Sequence, residues 1–164
     1  MDISETKIYK HLNNKDNTFY CANINNVAAY AQSFLSRIPA MFSNYTNHDI
    51  GHSARVADYM VDLLPQPLDK YNDTELVIML YSAIFHDIGM VVSETESDLD
   101  SARQDDIRKT HHIRSENFFS LWKNLDFGCR IIQKEEHKRP WSEQWRFVCL
   151  RGKQSGTLYR PRWK

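Results

Sequence analysis

An all-helical fold is the class that this sequence of 164 residues predicts. Apolar residues recur at spacings of three and four, which places them on one face of a helix. No segment alternates apolar and polar residues over the length of a strand, and the sequence has no internal repeat. The length fits one domain of ordinary size, and the hydrophobic content of 41% is enough to form a core.

The N-terminal half of the sequence predicts two helices after a polar start. Residues 1 to about 24 are polar, and we expect an arm or a short irregular segment there. A first helix is predicted over about 26–37, and Pro39 is expected to close it. A second helix is predicted over about 47–64, because the sequence PQP at 65–67 is incompatible with its continuation.

The third predicted helix has the clearest start signal. Asn72 is followed three residues later by Glu75, the spacing of a capping box. The run 76–85 is apolar on nearly every side, which indicates a central, buried helix. We expect this helix to end near Gly89.

The remaining elements are predicted from composition and period. Residues 93–106 are rich in Ser, Asp and Glu, and are expected to form an exposed loop that could contain a turn of helix. A fourth helix is predicted over about 106–121 and a fifth over about 126–137, ahead of Pro140.

The predicted elements divide the chain into three parts. Residues 1–40 form the arm and first helix, and residues 41–138 form the helical core. Residues 139–164 form a basic, aromatic tail that is either irregular or the stump of a longer natural chain.

Charge and cysteine content favour a soluble cytoplasmic protein. The 21 basic and 21 acidic residues balance, which argues against a nucleic-acid binder. The balance is uneven along the chain, since residues 138–164 hold eight basic residues and one acid. Three cysteines without a CxxC spacing fit a reducing compartment. No apolar run approaches the length of a membrane span.

Histidines at core-facing positions are the residues that indicate chemistry. His52 and His111 each lie on an otherwise apolar face of a predicted helix, and His86 stands beside Asp87 at the end of the buried helix. Each buried imidazole needs a hydrogen-bond partner or a metal ion. Separate partners for each are the simpler alternative, but one shared metal ion satisfies all three together. We therefore favour a metal site.

Three other histidines receive weaker support from spacing. His48 lies one helical turn before His52, so the two rings could share a face, although a solvated position near the helix start is the alternative. His112 points away from the face of His111. His137 does not share a helical face with Ile131 and Ile132, so its spacing supports a buried position only weakly. Imidazole and carboxylate together suit Fe, Mn, Zn or Co better than Ca.

The histidines stand in four motifs that resemble the HD superfamily of metal-dependent phosphohydrolases. In chain order these motifs are HSARV at 52–56, HD at 86–87, HHIRS at 111–115, and His137 shortly after IIQKEE. The phrase YTNHDIGHSARV is most similar to HD domains associated with GHKL-type, chaperone-like ATPases. The resemblance covers about residues 40 to 140. It implies an HD-type helical bundle with a metal site between its central helices.

The resemblance also implies roles for individual residues. One or two divalent ions (Fe, Mn, Zn, Co, Ni or Mg) would be held by five ligands, which are His52, His86, Asp87, His111 and His137. Asp87 and Arg55 would take part in catalysis, and three residues would stand beside the ligands, namely His48, His112 and Arg114.

The implied activity is hydrolysis of phosphate mono- or diesters, with nucleotides as the expected substrates. The sequence departs from the family pattern at two places. The family's last metal ligand is an Asp, and no Asp follows His137. Met90 stands where members that act on cyclic dinucleotides carry Lys, which argues against that substrate group.

The missing Asp leaves two alternatives to an enzyme. The chain could be a catalytically incomplete module that binds metal or nucleotide and docks on a partner ATPase through its tail. It could also be a truncated or frame-shifted remnant without function, since charge and period both change near residue 138.

Overall fold

The structure, a computed structural model, describes residues 1–42, 48–92 and 100–122. Within these ranges the chain is helical and contains no strand, which confirms the predicted all-α class. The helices are α1 (Lys7–Asn14), α2 (Thr18–Leu35), α3 (Ile38–Met41), α4 (Ile50–Asp62), α5 (Asp73–Phe85) and α6 (Ser101–Trp122). Short 3-10 turns cover Ile3–Glu5, Leu68–Lys70 and Ile88–Met90.

Helix α5 is the buried centre of the bundle, as its sequence predicts. The capping box is present, because the backbone N–H of Glu75 donates to Asn72 Oδ1 at 2.9 Å and the N–H of Asn72 donates to Glu75 Oε2 at 3.0 Å. Leu76, Leu80 and Ile84 are fully buried along the helix. The helices α1, α2 and α4 all contact α5.

The end of α5 differs from the prediction in a way that shapes the site. The helix stops at Phe85 and does not continue to Gly89. His86 and Asp87 form a turn, and the chain then enters the 3-10 turn Ile88–Met90. We call residues 86–91 the HD turn.

The expected irregular segment over residues 1 to 24 is wrong, since it contains α1 and the first part of α2. Ile8 and Leu12, one helical turn apart, are fully buried. The Thr6 hydroxyl caps α1 by accepting from the N–H of Tyr9. The apolar face of α1 is too narrow to stand out among its many polar residues, so it gives a weak periodic signal.

Other boundaries shift by a few residues. Pro39 lies in the first turn of α3, a position that tolerates proline, so it begins a new helix and does not close α2. Helix α4 begins at Ile50 and not near residue 47, because the side chain of Asp49 caps it.

Helix α6 is longer than predicted at its start. It begins at Ser101, and Asp100 Oδ1 accepts from the N–H of Arg103 at 2.8 Å. Residues 101–105 were expected to lie in a loop that could contain a turn of helix, because they are polar, but the Asp100 side chain just before them caps a longer helix. The predicted helix over 126–137 and the tail lie outside the described residues.

Helix α6 carries His111 to the rest of the site by packing on the HD turn. Two aromatic side chains of α6 also pack on other helices. The ring centre of Phe119 lies 5.9 Å from that of Phe85 in α5, and the ring centre of Phe118 lies 5.8 Å from that of Phe34 in α2. None of the helices in the described ranges is both long enough and apolar enough to span a bilayer.

Candidate metal centre

Asp87 is the centre of a cluster of imidazoles. It is buried in the HD turn, with 4% of its surface exposed. Three ring nitrogens approach its Oδ2 atom, at distances of 2.7 Å for His48 Nδ1, 2.8 Å for His86 Nε2 and 3.3 Å for His52 Nε2. Its other oxygen, Oδ1, lies 3.6 Å from His111 Nε2. Imidazoles from the start of α4, from the HD turn after α5 and from the middle of α6 thus surround one carboxylate.

The electrostatics of the cluster keep Asp87 ionised. Burial raises the pKa of Asp87, but hydrogen bonds from His48 and His86 outweigh burial and hold this pKa well below its usual range. Burial likewise lowers the pKa of His86, and the hydrogen bond and charge of Asp87 outweigh it, so the pKa of His86 is raised. Burial and the neighbouring His86 lower the pKa of His52, which favours the neutral ring that binds metal.

Two of the imidazoles are oriented by backbone carbonyls. His86 Nδ1 donates to the carbonyl of Ala83 at 2.8 Å, and His111 Nδ1 donates to that of Arg108 at 2.5 Å. In both rings the Nδ1 proton is therefore occupied, and Nε2 faces Asp87. Metal-binding histidines are held in the same way, with the distal N–H on a carbonyl or carboxylate.

The spacing of the donor atoms fits a divalent ion. His48, His52 and Asp87 each offer a donor atom, and these atoms lie within 4.8 Å of one another. The Nε2 atoms of His52 and His86 are 3.2 Å apart, close to the roughly 3 Å expected between adjacent ligands whose bonds to one ion are about 2.1 Å long.

The cluster is open to solvent on its imidazole side. The side chains of His52, His86 and His111 are 28%, 29% and 30% exposed, whereas that of Asp87 is 6% exposed. Structural metal sites are closed by protein ligands, and catalytic sites keep a position open for water or substrate. The exposure of three candidate ligands therefore favours a site that a small molecule can reach.

Helix α6 holds the backbone of the HD turn through two side chains. The Ser115 hydroxyl donates to the carbonyl of His86 at 2.8 Å and accepts from the N–H of Gly89 at 2.9 Å. Arg114 donates from Nε to the carbonyl of Gly89 at 2.6 Å and from Nη2 to that of Val91 at 3.0 Å. Arg114 thus directs its guanidinium at the backbone of the HD turn.

Gly89 allows the HD turn to approach α6 closely. A Cβ atom at this position would lie 2.1 Å from the carbonyl oxygen of His111 and 2.6 Å from the backbone N of Ser115. These atoms belong to the helix backbone and cannot rotate away. The next residue, Met90, is 2% exposed, so its side chain belongs to the core.

The structure brings together five of the sequence-predicted residues, namely His48, His52, His86, Asp87 and His111. Arg55 is exposed on α4, and its charge helps to lower the pKa of His52, so it lies near the site. The ring of His112 stacks edge-on to that of His111 with their centres 6.0 Å apart. His137 lies outside the described residues.

Sequence reasoning missed the part that Ser115 and Gly89 play. Ser115 was visible as a small residue four positions after His111, and Gly89 as part of the HDIG phrase. Neither signal shows that the two residues are hydrogen-bonded to each other across 26 positions of the chain.

Comparison with protein families matches residues 42–163 to the family described as HD-CE. This chain belongs to the HD-CE family. The match and the cluster around Asp87 together confirm the resemblance to HD domains. Comparisons with curated proteins and with solved structures found no significant match.

The ends of the HD-CE match do not coincide with the ends of the described helical bundle. It begins at Phe42, so α1 and α2 precede it although both pack against α4 and α5. It also continues past α6 through His137 and the basic tail. The described helices α4, α5 and α6, which carry the candidate ligands, all lie inside it.

Proposed function

We propose that this HD-CE protein is a metal-dependent phosphohydrolase that acts on phosphate mono- or diesters, with nucleotides as substrates. The observation that carries the proposal is the buried, ionised Asp87 surrounded by imidazoles whose Nε2 atoms converge on it from a solvent-open side. Family membership supports a metal-dependent domain, and the open side supports turnover over a purely structural ion.

The two oxygens of Asp87 suit two neighbouring ion positions. Oδ2 would hold one ion together with His52 and His86, and Oδ1 faces His111, which would serve a second. His137 remains a further predicted ligand, outside the described residues. A bound divalent ion would supply Lewis-acid activation of water and of the phosphate. The imidazole-rich donor set favours Fe, Mn, Zn, Co or Ni over Mg.

The side chains around the ions would have different roles in binding and orientation. Asp87 is the carboxylate on which the imidazoles converge, so its role would be to bind and orient the ions. His48, which donates to Asp87 Oδ2 at 2.7 Å, fixes the carboxylate. Arg55 is exposed near His52, and its guanidinium is suited to bind phosphate oxygens as charge builds on them.

The test is hydrolysis by the purified protein and its Asp87→Ala variant. A panel of p-nitrophenyl phosphate, bis-p-nitrophenyl phosphate and nucleotides would be assayed with each metal added. We expect Asp87→Ala to lower kcat/KM at least about a hundredfold, because it removes the residue shared by both ion positions. The control is Asp69→Ala, which removes an exposed carboxylate that pairs with the adjacent Lys70. Unchanged hydrolysis in Asp87→Ala would contradict the proposal.

A second candidate function is a binding module that does not turn over. The sequence has no Asp after His137, and its residues 138–164 are basic and aromatic. Such a module would bind metal or nucleotide and dock on a partner ATPase in the cytoplasm, where cysteines without CxxC spacing remain reduced. Calorimetry that detects nucleotide binding without hydrolysis, and loss of an ATPase from pull-downs when residues 138–164 are removed, would favour this alternative.

A further inference from the structure

Ser115 connects the two halves of the candidate metal centre. We propose that Ser115 is a positioning residue that sets the distance between the HD turn and His111, and so makes the two ion positions act as one site. The inference rests on the proposed metal site and adds a residue to it that binds neither metal nor substrate. Its hydroxyl acts through the backbone of residues that do.

The Ser115 hydroxyl spans the residues that flank Asp87. It donates to the carbonyl of His86 on one side and accepts from the N–H of Gly89 on the other. One atom, Ser115 Oγ, is therefore hydrogen-bonded to the backbone both before and after Asp87. This hydrogen bond ties α6 to the backbone of His86 itself.

Burial makes this connection hard to replace. Ser115 is 1% exposed and Gly89 is also buried, so water has little access to the two backbone groups. Leaving a buried polar group unpaired costs about 1–3 kcal/mol. The Arg114 contacts reinforce the connection, but they reach the carbonyls of Gly89 and Val91, which come after Asp87.

His111 lies one turn before Ser115 on the same helix, so the two side chains move together with α6. His111 Nε2 stands 3.6 Å from Asp87 Oδ1, and its ring is fixed by the carbonyl of Arg108 within that helix. A shift of α6 relative to the HD turn would change the distance from His111 to Asp87. The contacts of Asp87 Oδ2 with His48, His52 and His86 would be kept.

The first arm of the test is a Co²⁺ titration of the full chain by calorimetry. Four proteins are compared, namely the wild type, Ser115→Ala, His111→Ala and the double variant. We expect Ser115→Ala to weaken Co²⁺ binding about tenfold, the lower end of the effect seen when residues that orient metal ligands are removed. The double variant should bind no more weakly than His111→Ala alone, because the distance that Ser115 sets no longer affects binding once the His111 ring is removed.

Ser82→Ala is the matched control. Ser82 is 2% exposed and its hydroxyl donates to the carbonyl of Ile78 within α5 at 2.8 Å, so the variant loses a buried hydroxyl away from α6. It should bind Co²⁺ as the wild type does. Ser115→Thr keeps a hydroxyl and should recover most of the lost affinity. Amide hydrogen exchange of the metal-free proteins adds an independent readout, since Gly89 should exchange faster in Ser115→Ala.

The outcomes separate this inference from the proposed hydrolase. Wild-type affinity in Ser115→Ala, or losses that multiply in the double variant, would overturn the positioning role even if the protein hydrolyses phosphate esters. A tenfold loss that disappears in the His111→Ala background would support the role even if no substrate is turned over. A wild-type protein that takes up no Co²⁺ would overturn the positioning role, whereas the proposed hydrolase would still be decided by its activity with the other metals.

Discussion

At the scale of single residues, the site depends on the difference between the two oxygens of Asp87. Oδ2 is shared by imidazoles from α4 and the HD turn, and Oδ1 faces α6. His86 and Asp87 were predicted as site residues because ionisable side chains in an apolar run are rarely buried unless they are paired or bind a metal ion. The roles of Gly89 and Ser115 were not predicted. The close approach of two distant backbone segments produces no recognisable pattern among neighbouring residues of the sequence.

The pH dependence of metal binding follows from these residues. Each imidazole must be neutral to bind, and the pKa of His86 is raised in the metal-free protein by Asp87. The ring therefore keeps its proton to a higher pH than a free histidine, and an ion must displace that proton. We expect Co²⁺ affinity to fall as the pH is lowered through the raised pKa of His86, with a limiting slope of about tenfold per pH unit for one displaced proton. Calorimetry at three pH values measures this slope, and a flat profile would contradict it.

Substitution of Gly89 tests the close contact between the HD turn and α6. Gly89→Ala would place Cβ 2.1 Å from the carbonyl oxygen of His111, so the turn and helix must separate. We expect a loss of about 3 kcal/mol or more in the free energy of unfolding, measured by urea denaturation. The control is Gly51→Ala in α4, where the nearest atoms lie at 3.2 Å and the change should stay within about 1 kcal/mol. Equal stability of the two variants would refute the steric account.

At the scale of elements, the strength of the local signal decided which helices could be predicted. Helix α5 has a complete capping box and an apolar run long enough to exclude a loop. Helix α1 offers only two fully buried residues among polar ones, and its burial depends on α4 and α5. The start of α6 was missed because its polar residues are equally typical of a loop and of a helix start.

The cap of α5 provides a test at this scale. Asn72→Ala removes the acceptor for the N–H of Glu75 and should lower the free energy of unfolding by about 1 kcal/mol. Asn72→Ser retains a capping oxygen and should recover most of that loss. Thermal denaturation followed by circular dichroism gives both values. An unchanged melting temperature in Asn72→Ala would show that packing alone sets the start of α5.

At the scale of the whole molecule, the bundle is larger than the region matched to the family. Helices α1 and α2 precede residue 42, yet the backbone N–H of Lys7 donates to Asp58 Oδ1 of α4 at 2.9 Å, and Lys7 Nζ pairs with Asp62. Ile24 and Leu12 are fully buried. The family resemblance could predict the core that carries the ligands, but not this N-terminal cover.

Leu12→Ala tests whether α1 belongs to that core. The variant leaves a cavity at a fully buried position and should cost about 2–5 kcal/mol of the free energy of unfolding. Leu63→Ala is the matched control, because Leu63 is 82% exposed and should contribute less than about 0.5 kcal/mol. Urea denaturation of both variants decides. Similar midpoints would mean that α1 adds little to the stability of the bundle.

Both proposals depend on a metal ion held by the imidazoles around Asp87. Elemental analysis of the purified, tag-free protein measures that ion, beside a variant that combines His86→Ala with Asp87→Ala. We expect about one or two equivalents of Fe, Mn, Zn, Co or Ni in the wild type and loss of that metal in the variant. A wild-type protein that remains free of metal after incubation with each of these ions and with Mg would contradict both proposals.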